Sequence, residues 1–531
     1  MAETVTQLLL ERADDDNVAI IDDDTRRTWR DHIADARRMA SAVLSLADPQ
    51  RPMHVGTLLG NTPTMLTALA AGALGGYVTA GINNTRRGEA LAGDIARADC
   101  QILLTDAEHR DLLTGLDLPG VTVIDTSTAE WSHRVDAAGE LVAYSTPGAM
   151  DPFMLIFTSG TSGNPKPVRL AHMLIPFAGP PLVDKFGITS DDICYLSMPL
   201  FHSAALLGGY SVAATAGAAI VPARFSASTF LDDVRRHGVT FMNYVGKPLA
   251  YILATPEQPD DADNPLRAAF GNEATDQDIA DFARRFDCSV WDGYGSSELA
   301  IIVTREPGTP PGSIGKGFPG VAVYDPATTT ECARARFDAG GALINADEAI
   351  GELVNTSGAG MFTGYYNDEA TTGERLRDGM YWSGDLAYKD DNDWIYLAGR
   401  TGDWMRVDGE NMTAGPIERV LQRIPGISQV AVYGVPDDRV GDAVMAAIVL
   451  DDDTSIDPDD FAAALAAQPD LSPKAWPRYV RIAKTLPTTA TNKIVKRQLK
   501  SEGVVPGDGT LWVRPARAHT YHVSTATPAP A

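Results

Sequence analysis

The strongest constraint on this chain is a rhythm. Through the first two-thirds, short apolar runs at 55–59, 101–105, 121–124, 154–157 and 241–245 are each bounded by turn residues. Helix-like stretches separate them. One is announced by Thr28-Trp-Arg-Asp31, a capping box with Asp in place of Glu, ahead of Ile33, Ala36, Ala40, Val43 and Leu44 at helical spacing. Such alternation predicts an α/β fold with layered, mostly parallel sheets. From about residue 350 the texture changes, and strands at 351–355, 380–388 and 394–398 follow one another at hairpin spacing. After Gly402 a smaller unit begins, with strands at 430–435 and 443–450, an acidic loop at 451–460, a helix at 461–468 and a strand at 479–483. A chain of 531 residues is too long for one core. The expected division is 1–402, 403–513 and an Ala/Pro/Thr-rich flexible tail at 514–531.

Charge narrows the partners. Lys and Arg total 44 against 70 Asp and Glu, a formal net charge of −26. That balance argues against nucleic acid, whose phosphates demand a basic surface, and against an anionic membrane. Four scattered cysteines, Cys100, Cys194, Cys288 and Cys332, form no C-x-x-C pair and read as thiols of a reducing compartment. The acidic N-terminus lacks the cationic start of a signal peptide. Two uncharged runs, 64–82 and 201–223, are long enough to span a membrane, yet Gly, Ala, Thr and Ser fill them. They read as buried helices with small side chains. A cytoplasmic protein is expected.

Five segments carry chemistry. The first is Phe157-Thr-Ser-Gly-Thr-Ser-Gly-Asn-Pro-Lys166, just after an apolar strand. Its glycines permit a loop with inward N–H groups, and its hydroxyls and Lys166 add donors for a polyphosphate. It is not a Walker A loop, because prolines flank Lys166. A formal G-x-G-x-x-G at Gly315–Gly320 is a chance match, since Pro319 falls where the helix would begin and a strand-like run follows. The second is Trp291-Asp-Gly-Tyr-Gly-Ser-Ser-Glu298, where Tyr294 between glycines can lie flat on a base and Glu298 offers a hard oxygen for Mg²⁺. The third, Trp382-Ser-Gly-Asp385, supplies a carboxylate for two ribose hydroxyls. The fourth runs from Gly399 through Arg400, Gly402, Asp403, Arg406 and Gly409 to Glu410 and Asn411. The fifth, Pro487–Arg497, is a basic tip holding Lys493, which on its own would read as a solvated charge.

In this order and spacing the five segments resemble the adenylate-forming superfamily, over about residues 20–500. The finer pattern is similar to the fatty-acid transport protein and very-long-chain acyl-CoA synthetase branch, and to bacterial fatty-acyl-CoA ligases. Its marks are Ile82-Asn-Asn-Thr-Arg-Arg-Gly-Glu-Ala-Leu91, Pro199-Leu-Phe-His202-Ser203-Ala204 and the string at 400–411. The resemblance implies a large N-terminal domain with a small barrel-like subdomain and a mobile α+β C-terminal domain. It implies a ligase that joins a fatty or steroid side-chain acid to coenzyme A through acyl-AMP, using ATP and Mg²⁺.

By the same likeness Thr158, Ser159, Gly160, Thr161, Ser162, Gly163 and Lys166 hold the β- and γ-phosphates. Gly271, Asn272, Glu273, Asp292, Gly293, Tyr294 and Gly295 form the adenine slot, Ser297 touches the α-phosphate, and Glu298 binds the metal. Asp385 and Arg400 hold the ribose. Gly402 and Asp403 form the hinge, Lys493 serves adenylation, and Arg406 serves the thioester step with Gly409 and Glu410 near CoA. His202 sits beside the reacting carboxylate, and Ser203, Gly208, Gly209 and Tyr244 join it around the acyl chain. The small residues at 206–219 leave either a wide apolar tunnel or tight packing against a sheet. Three departures stand out: Ser162 for Thr, Pro167 for Gly and Asn492 for Gly; none removes a reacting group. The alternatives are an acyl-AMP ligase that loads a carrier protein and a non-catalytic nucleotide- or lipid-binding relative. The likeness leaves room for contact at a membrane surface and for a homodimer.

Overall fold

The apolar runs become strands of two mostly parallel sheets. We describe them from a computed structural model, which places residues 2–158, 165–400, 402, 404–407, 410–437, 441–451, 454–489, 493–515 and 518–524. One sheet runs Thr122–Asp125, Ile102–Thr105, His54–Leu58, Val78–Gly81, Pro152–Thr158, Lys166–Ala171. All neighbours are parallel except the last pair. The other runs Ser289–Gly295, Ala268–Asn272, Phe241–Val245, Ile193–Leu196, Ala219–Pro222, Val18–Asp22, Thr25–Thr28. It too is parallel until its final hairpin. These sheets belong to a compact unit of residues 1–300 and 359–374.

The local signals explain the helices between them. Thr28 caps Trp29–Leu44, its hydroxyl accepting from the Asp31 N–H, as the capping box predicts. Thr62 and Pro63 start Pro63–Gly75, and Gly76 ends it at φ +66°, a left-handed conformation that suits glycine. Every residue from Met65 to Gly75 is buried. The uncharged run at 64–82 is therefore a core helix followed by a strand. The run at 201–223 likewise resolves into Ser203–Ala205, a five-residue π-helical stretch Leu206–Tyr210, the helix Ser211–Ala216 and a strand. Among the described residues no helix is long and apolar enough to cross a membrane.

The second compact unit holds residues 301–358 and 375–531. Its first sheet is antiparallel, in the order Thr330–Glu331, Val321–Asp325, Gly351–Asn355, Met380–Lys389, Trp394–Arg400, Gly315–Gly317, Ile302–Thr304. The strand at 315–317 confirms that the glycine string there is no dinucleotide loop. The second sheet centres on Ile427–Asp437 and Gly441–Leu450. Side chains alternate across it. Val430 and Val432 face Ile417, Leu421, Phe461 and Leu465 of two helices, while Ala431, Tyr433 and Val435 face Leu499 of a third. Each fully buried Leu, Ile or Phe contributes about 2 kcal/mol.

By compactness the chain divides near residues 300, 358 and 375, with Gly402 inside the second unit; a turn of the segment from Asp403 about Gly402 is a separate property. The tail is not uniformly frayed: His522–Val523 pairs with Thr510–Val513, and Tyr521 is buried edge-on to Phe461 with its hydroxyl on the Pro477 carbonyl at 2.7 Å. Residues 525–531 lie outside the description.

Candidate active site

In the first unit the site grows from strand ends. Pro152–Thr158 and Lys166–Ala171 pair antiparallel with Thr158 opposite Lys166, the two ends of the hydroxyl-rich decapeptide. Ser159, Gly160, Thr161, Ser162 and Gly163 lie outside the described residues. Lys166 is held: its Nζ donates to Thr371 Oγ1 at 2.6 Å and stands 3.9 Å from Asp368. Burial opposes the charge on Asp368, but the Thr371 N–H and hydroxyl and the Lys166 charge outweigh it and keep the carboxyl below its usual range.

The parallel strands Phe241–Val245, Ala268–Asn272 and Ser289–Gly295 end together, where open α/β sheets bind ligands. Gly271 has no room for a side chain, since a Cβ would stand 2.2 Å from the Tyr244 carbonyl oxygen. Asn272 donates to the Gly293 carbonyl at 2.9 Å, and Glu273 adopts φ +67°. Asp292 is buried, and its Oδ2 lies 3.1 Å from the Tyr244 hydroxyl and 3.0 Å from the Ala274 N–H. It braces the loop after Asn272 from beneath. Tyr244, expected around the acyl chain, has its ring in the core at 1% exposure and its hydroxyl on Asp292. Tyr294 is half-buried, and Gly295 has open space beside it.

Glu298, Ser297, Ser203 and His202 are brought together by short links. The Tyr365 hydroxyl donates to Glu298 Oε1 at 2.8 Å, and the Ser203 hydroxyl donates to Ser297 Oγ at 3.3 Å. His202 begins the turn into the next helix, its N–H on the Pro199 carbonyl at 2.9 Å and its ring against Phe201. Asn61 fixes that turn with three bonds, donating to Leu196 and Met198 carbonyls and accepting from the Leu200 N–H. The small residues beyond His202 are closely packed. A Cβ on Gly208 would meet Phe270 at 3.3 Å, and one on Gly209 would meet Asn243 at 2.9 Å and Leu196 at 3.1 Å. Of the two readings of that run, tight packing holds at these two glycines.

In the second unit Asp385 and Arg400 face each other across paired strands, with Arg400 Nε 3.3 Å from Asp385 Oδ1. Gly402 is exposed, with open space where a Cβ would stand, and its carbonyl accepts from Lys500 Nζ at 2.5 Å. Lys493 is exposed, its N–H donating to Thr489 Oγ1 and its carbonyl accepting the Thr489 N–H. Arg406 and Glu410 sit on the hairpin Trp404–Val407 and Glu410–Thr413, opposite Asn411 and Val407. Their side chains, with Asp403 and Gly409, lie outside the description.

Sequence reasoning missed Asn61, Tyr365, Asp368 and Thr371. Thr363-Gly-Tyr365-Tyr366, a glycine beside two aromatics after a polar stretch, was the available signal.

Comparison with known proteins closes the argument. The sequence matches the family of AMP-binding enzymes over residues 10–366 and the C-terminal domain of AMP-binding enzymes over residues 416–493. It is 50% identical to the medium/long-chain-fatty-acid–CoA ligase FadD17 of Mycobacterium tuberculosis, over 96% of this chain and 99% of that one. It is 43% identical to a steroid-22-oyl-CoA synthetase of Rhodococcus jostii, over 94% and 91%. The crystal structure of ATP-bound MatB from Rhodopseudomonas palustris shares the fold, with a TM-score of 0.82 at 23% identity over 94% of this chain and 99% of that one. The chain belongs to the AMP-binding enzyme family, as its sequence motifs imply.

Proposed function

We propose that this protein is an ATP-dependent ligase that converts a fatty carboxylic acid to its acyl-CoA through an acyl-AMP intermediate. The observation that carries the reading is the 50% identity to a medium/long-chain-fatty-acid–CoA ligase across nearly the whole of both chains. Glu298, Asp385, Arg400 and Lys493, which the chemistry below uses, are all present. A carboxylate is a poor electrophile, so its oxygen attacks the α-phosphorus of ATP and pyrophosphate leaves. The thiolate of CoA then attacks the acyl carbon, and AMP leaves.

The protein's part is positioning and neutralising charge. The loop between Thr158 and Lys166 cradles the distal phosphates. Lys166, now parked on Thr371, swings onto them. Asp385 accepts from the ribose hydroxyls while Arg400 orients it. Lys493 stabilises the charge that develops on the α-phosphate. Mg²⁺ suits Glu298: the carboxylate is a hard donor, and the Tyr365 hydroxyl fixes one oxygen while leaving lone pairs for an ion. Among the described residues no three acidic, His or Cys groups converge, so such an ion would complete its shell with phosphate oxygens and water. When bound it supplies positive charge beside the leaving pyrophosphate. Gly402 is the pivot of the segment from Asp403 onward, and its turning breaks the Lys500 contact. Four free, unpaired cysteines accord with a reducing cytoplasm.

A second substrate class has its own support: the 43% identity to a steroid-22-oyl-CoA synthetase points to acids borne on a steroid side chain. Pyrophosphate release across a panel of medium, long and steroid acids, with and without CoA, separates the readings. Product that forms without CoA and never becomes a thioester would indicate an acyl-AMP ligase. Lys493→Ala is expected to lower acyl-AMP formation at least 100-fold and to leave CoA transfer from supplied acyl-AMP within threefold. Equal loss of both half-reactions would remove Lys493 from the first step.

A further inference from the structure

Glu352 lies in the strand Gly351–Asn355 with its side chain only 6% exposed, far from any motif that carries chemistry by sequence. It faces the turn Trp382–Asp385 in the neighbouring strand. The Gly384 N–H donates to its Oε1 at 2.6 Å, and Arg377 Nη2 donates to its Oε2 at 3.5 Å. The strand that carries Glu352 holds the same turn a second time, because the Leu353 carbonyl accepts from the Ser383 hydroxyl at 2.7 Å. That hydroxyl oxygen accepts the Asp385 N–H at 3.0 Å. On the other side Arg375 donates to the Trp382 carbonyl, Trp382 Nε1 donates to the Arg377 carbonyl, and the Arg377 guanidinium lies 4.2 Å above the Trp382 ring. Gly384 itself holds φ +77°, a conformation that must be kept in place by its surroundings.

A neutral acceptor would satisfy the Gly384 N–H as well as a carboxylate does. Burying a carboxylate is the more expensive choice. What the charge adds is a counterpart for Arg377 and Arg375, which grip the turn from its other side. Burial raises the Glu352 carboxyl above its ordinary range and Asp385 adds to the rise, against the Gly384 N–H and the two arginines. The carboxylate thus feels two cations that favour its charge and, opposing it, the one acid that the proposed function places on the ribose.

We infer that Glu352 is a positioning residue for nucleotide recognition: it fixes the Trp382–Asp385 turn so that Asp385 meets both ribose hydroxyls, without touching the nucleotide itself. This rests on the reading of Asp385 given above. The test compares ATP with 2′,3′-dideoxy-ATP, which lacks those hydroxyls, on the full chain by binding and by steady-state kinetics. The wild type is expected to bind ATP at least tenfold more tightly than the dideoxy analogue. Asp385→Asn is expected to bring that ratio near one. Glu352→Gln keeps an acceptor and loses the charge. It is expected to weaken ATP five- to twentyfold and the analogue less than twofold, with the KM values for the acid and CoA within twofold. Arg377→Met, at a partly exposed partner, is expected to lower the ratio in the same direction. If Glu352→Gln retains the full ratio while Asp385→Asn loses it, or weakens both nucleotides equally, Glu352 is merely structural and the inference is overturned. If the wild type shows no dependence on the hydroxyls, or Asp385→Asn keeps the wild-type ratio, the ribose reading of Asp385 has failed first, and the inference falls with it.

Discussion

Two loops of this protein are braced in the same way by different means. In the first unit Asp292 reaches under the loop after Asn272 and accepts the Ala274 N–H. In the second, Glu352 reaches under the turn at Gly384 and accepts its N–H. Each is a buried carboxylate holding a backbone that passes close to a proposed nucleotide contact. Their partners differ. Asp292 has a neutral phenol, Tyr244, beside it in a parallel sheet whose strands end together. Glu352 faces arginines in an antiparallel sheet whose strand simply runs on through the turn. Where parallel strand ends already align the loop, the carboxylate bonds to a phenol and a backbone N–H. Where one long strand must carry a left-handed residue in its middle, charge is used on both sides.

The largest effect expected from this contrast appears on acidification. His32 and His172, both in the first unit, are buried and held at about 4, chiefly by desolvation, with Arg27 also lowering His32 and Asp151 opposing the shift at His172. A folded pKa below the unfolded one means that the neutral form is favoured by folding, so the stability is full above the ordinary value of 6.5 and lost as pH falls toward 4. Each histidine removes roughly 2 kcal/mol between pH 7 and 5. Glu352 has the opposite sign: its carboxyl is raised by burial, so protonation in acid relieves a burden on the second unit. Hydrogen exchange at pH 7 and 5 should therefore show the first unit opening while the core around Gly351–Asn355 does not. His172→Phe should remove one histidine's share of the slope. Equal loosening of both units would erase the distinction.

Asp292→Ala comes next. It leaves the Ala274 N–H without this buried acceptor and takes a carboxylate from the Tyr244 hydroxyl. The expected loss is about 3 kcal/mol in denaturant unfolding, with exchange rising at residues 271–274. Smallest is Gly384→Ala. A Cβ there would stand 2.5 Å from Arg375 Nη1, the far end of a flexible side chain that can move, so the main penalty is the left-handed backbone, about 1 kcal/mol. A two- to fivefold rise in the KM for ATP with unchanged KM for the acid is expected. A larger fall in stability than that of Asp292→Ala would reverse the ranking of the two braces.

How much of this was legible in the sequence follows from the range of each contact. Strands such as Phe241–Val245 and Gly351–Asn355 were readable because an apolar run and its turn residues are neighbours in the chain. The segments proposed to carry chemistry stood out for the same reason, since glycines and hydroxyls cluster within them. The braces did not. Tyr365 meets Glu298 from 67 positions away, Thr371 meets Lys166 from 205, and Asn61 meets Leu200 from 139. No local spacing encodes such meetings. The glycines at 208 and 209 posed the converse difficulty: a small residue records that something is near, and only the fold tells that it is Phe270, Asn243 and Leu196.

The π-helical stretch Leu206–Tyr210 has a consequence at the level of the gene. A π-turn holds one residue more than an α-turn over the same span, so this segment accommodates a surplus amino acid without shifting the helix Ser211–Ala216 that follows. An allele shorter by one codon here could close the segment as an uninterrupted α-helix and keep everything downstream in register. Loss of a single triplet is therefore the change this point between His202 and the packed helix should admit without breaking the frame of the fold, whereas the close packing at Gly208 and Gly209 leaves no room for an added residue.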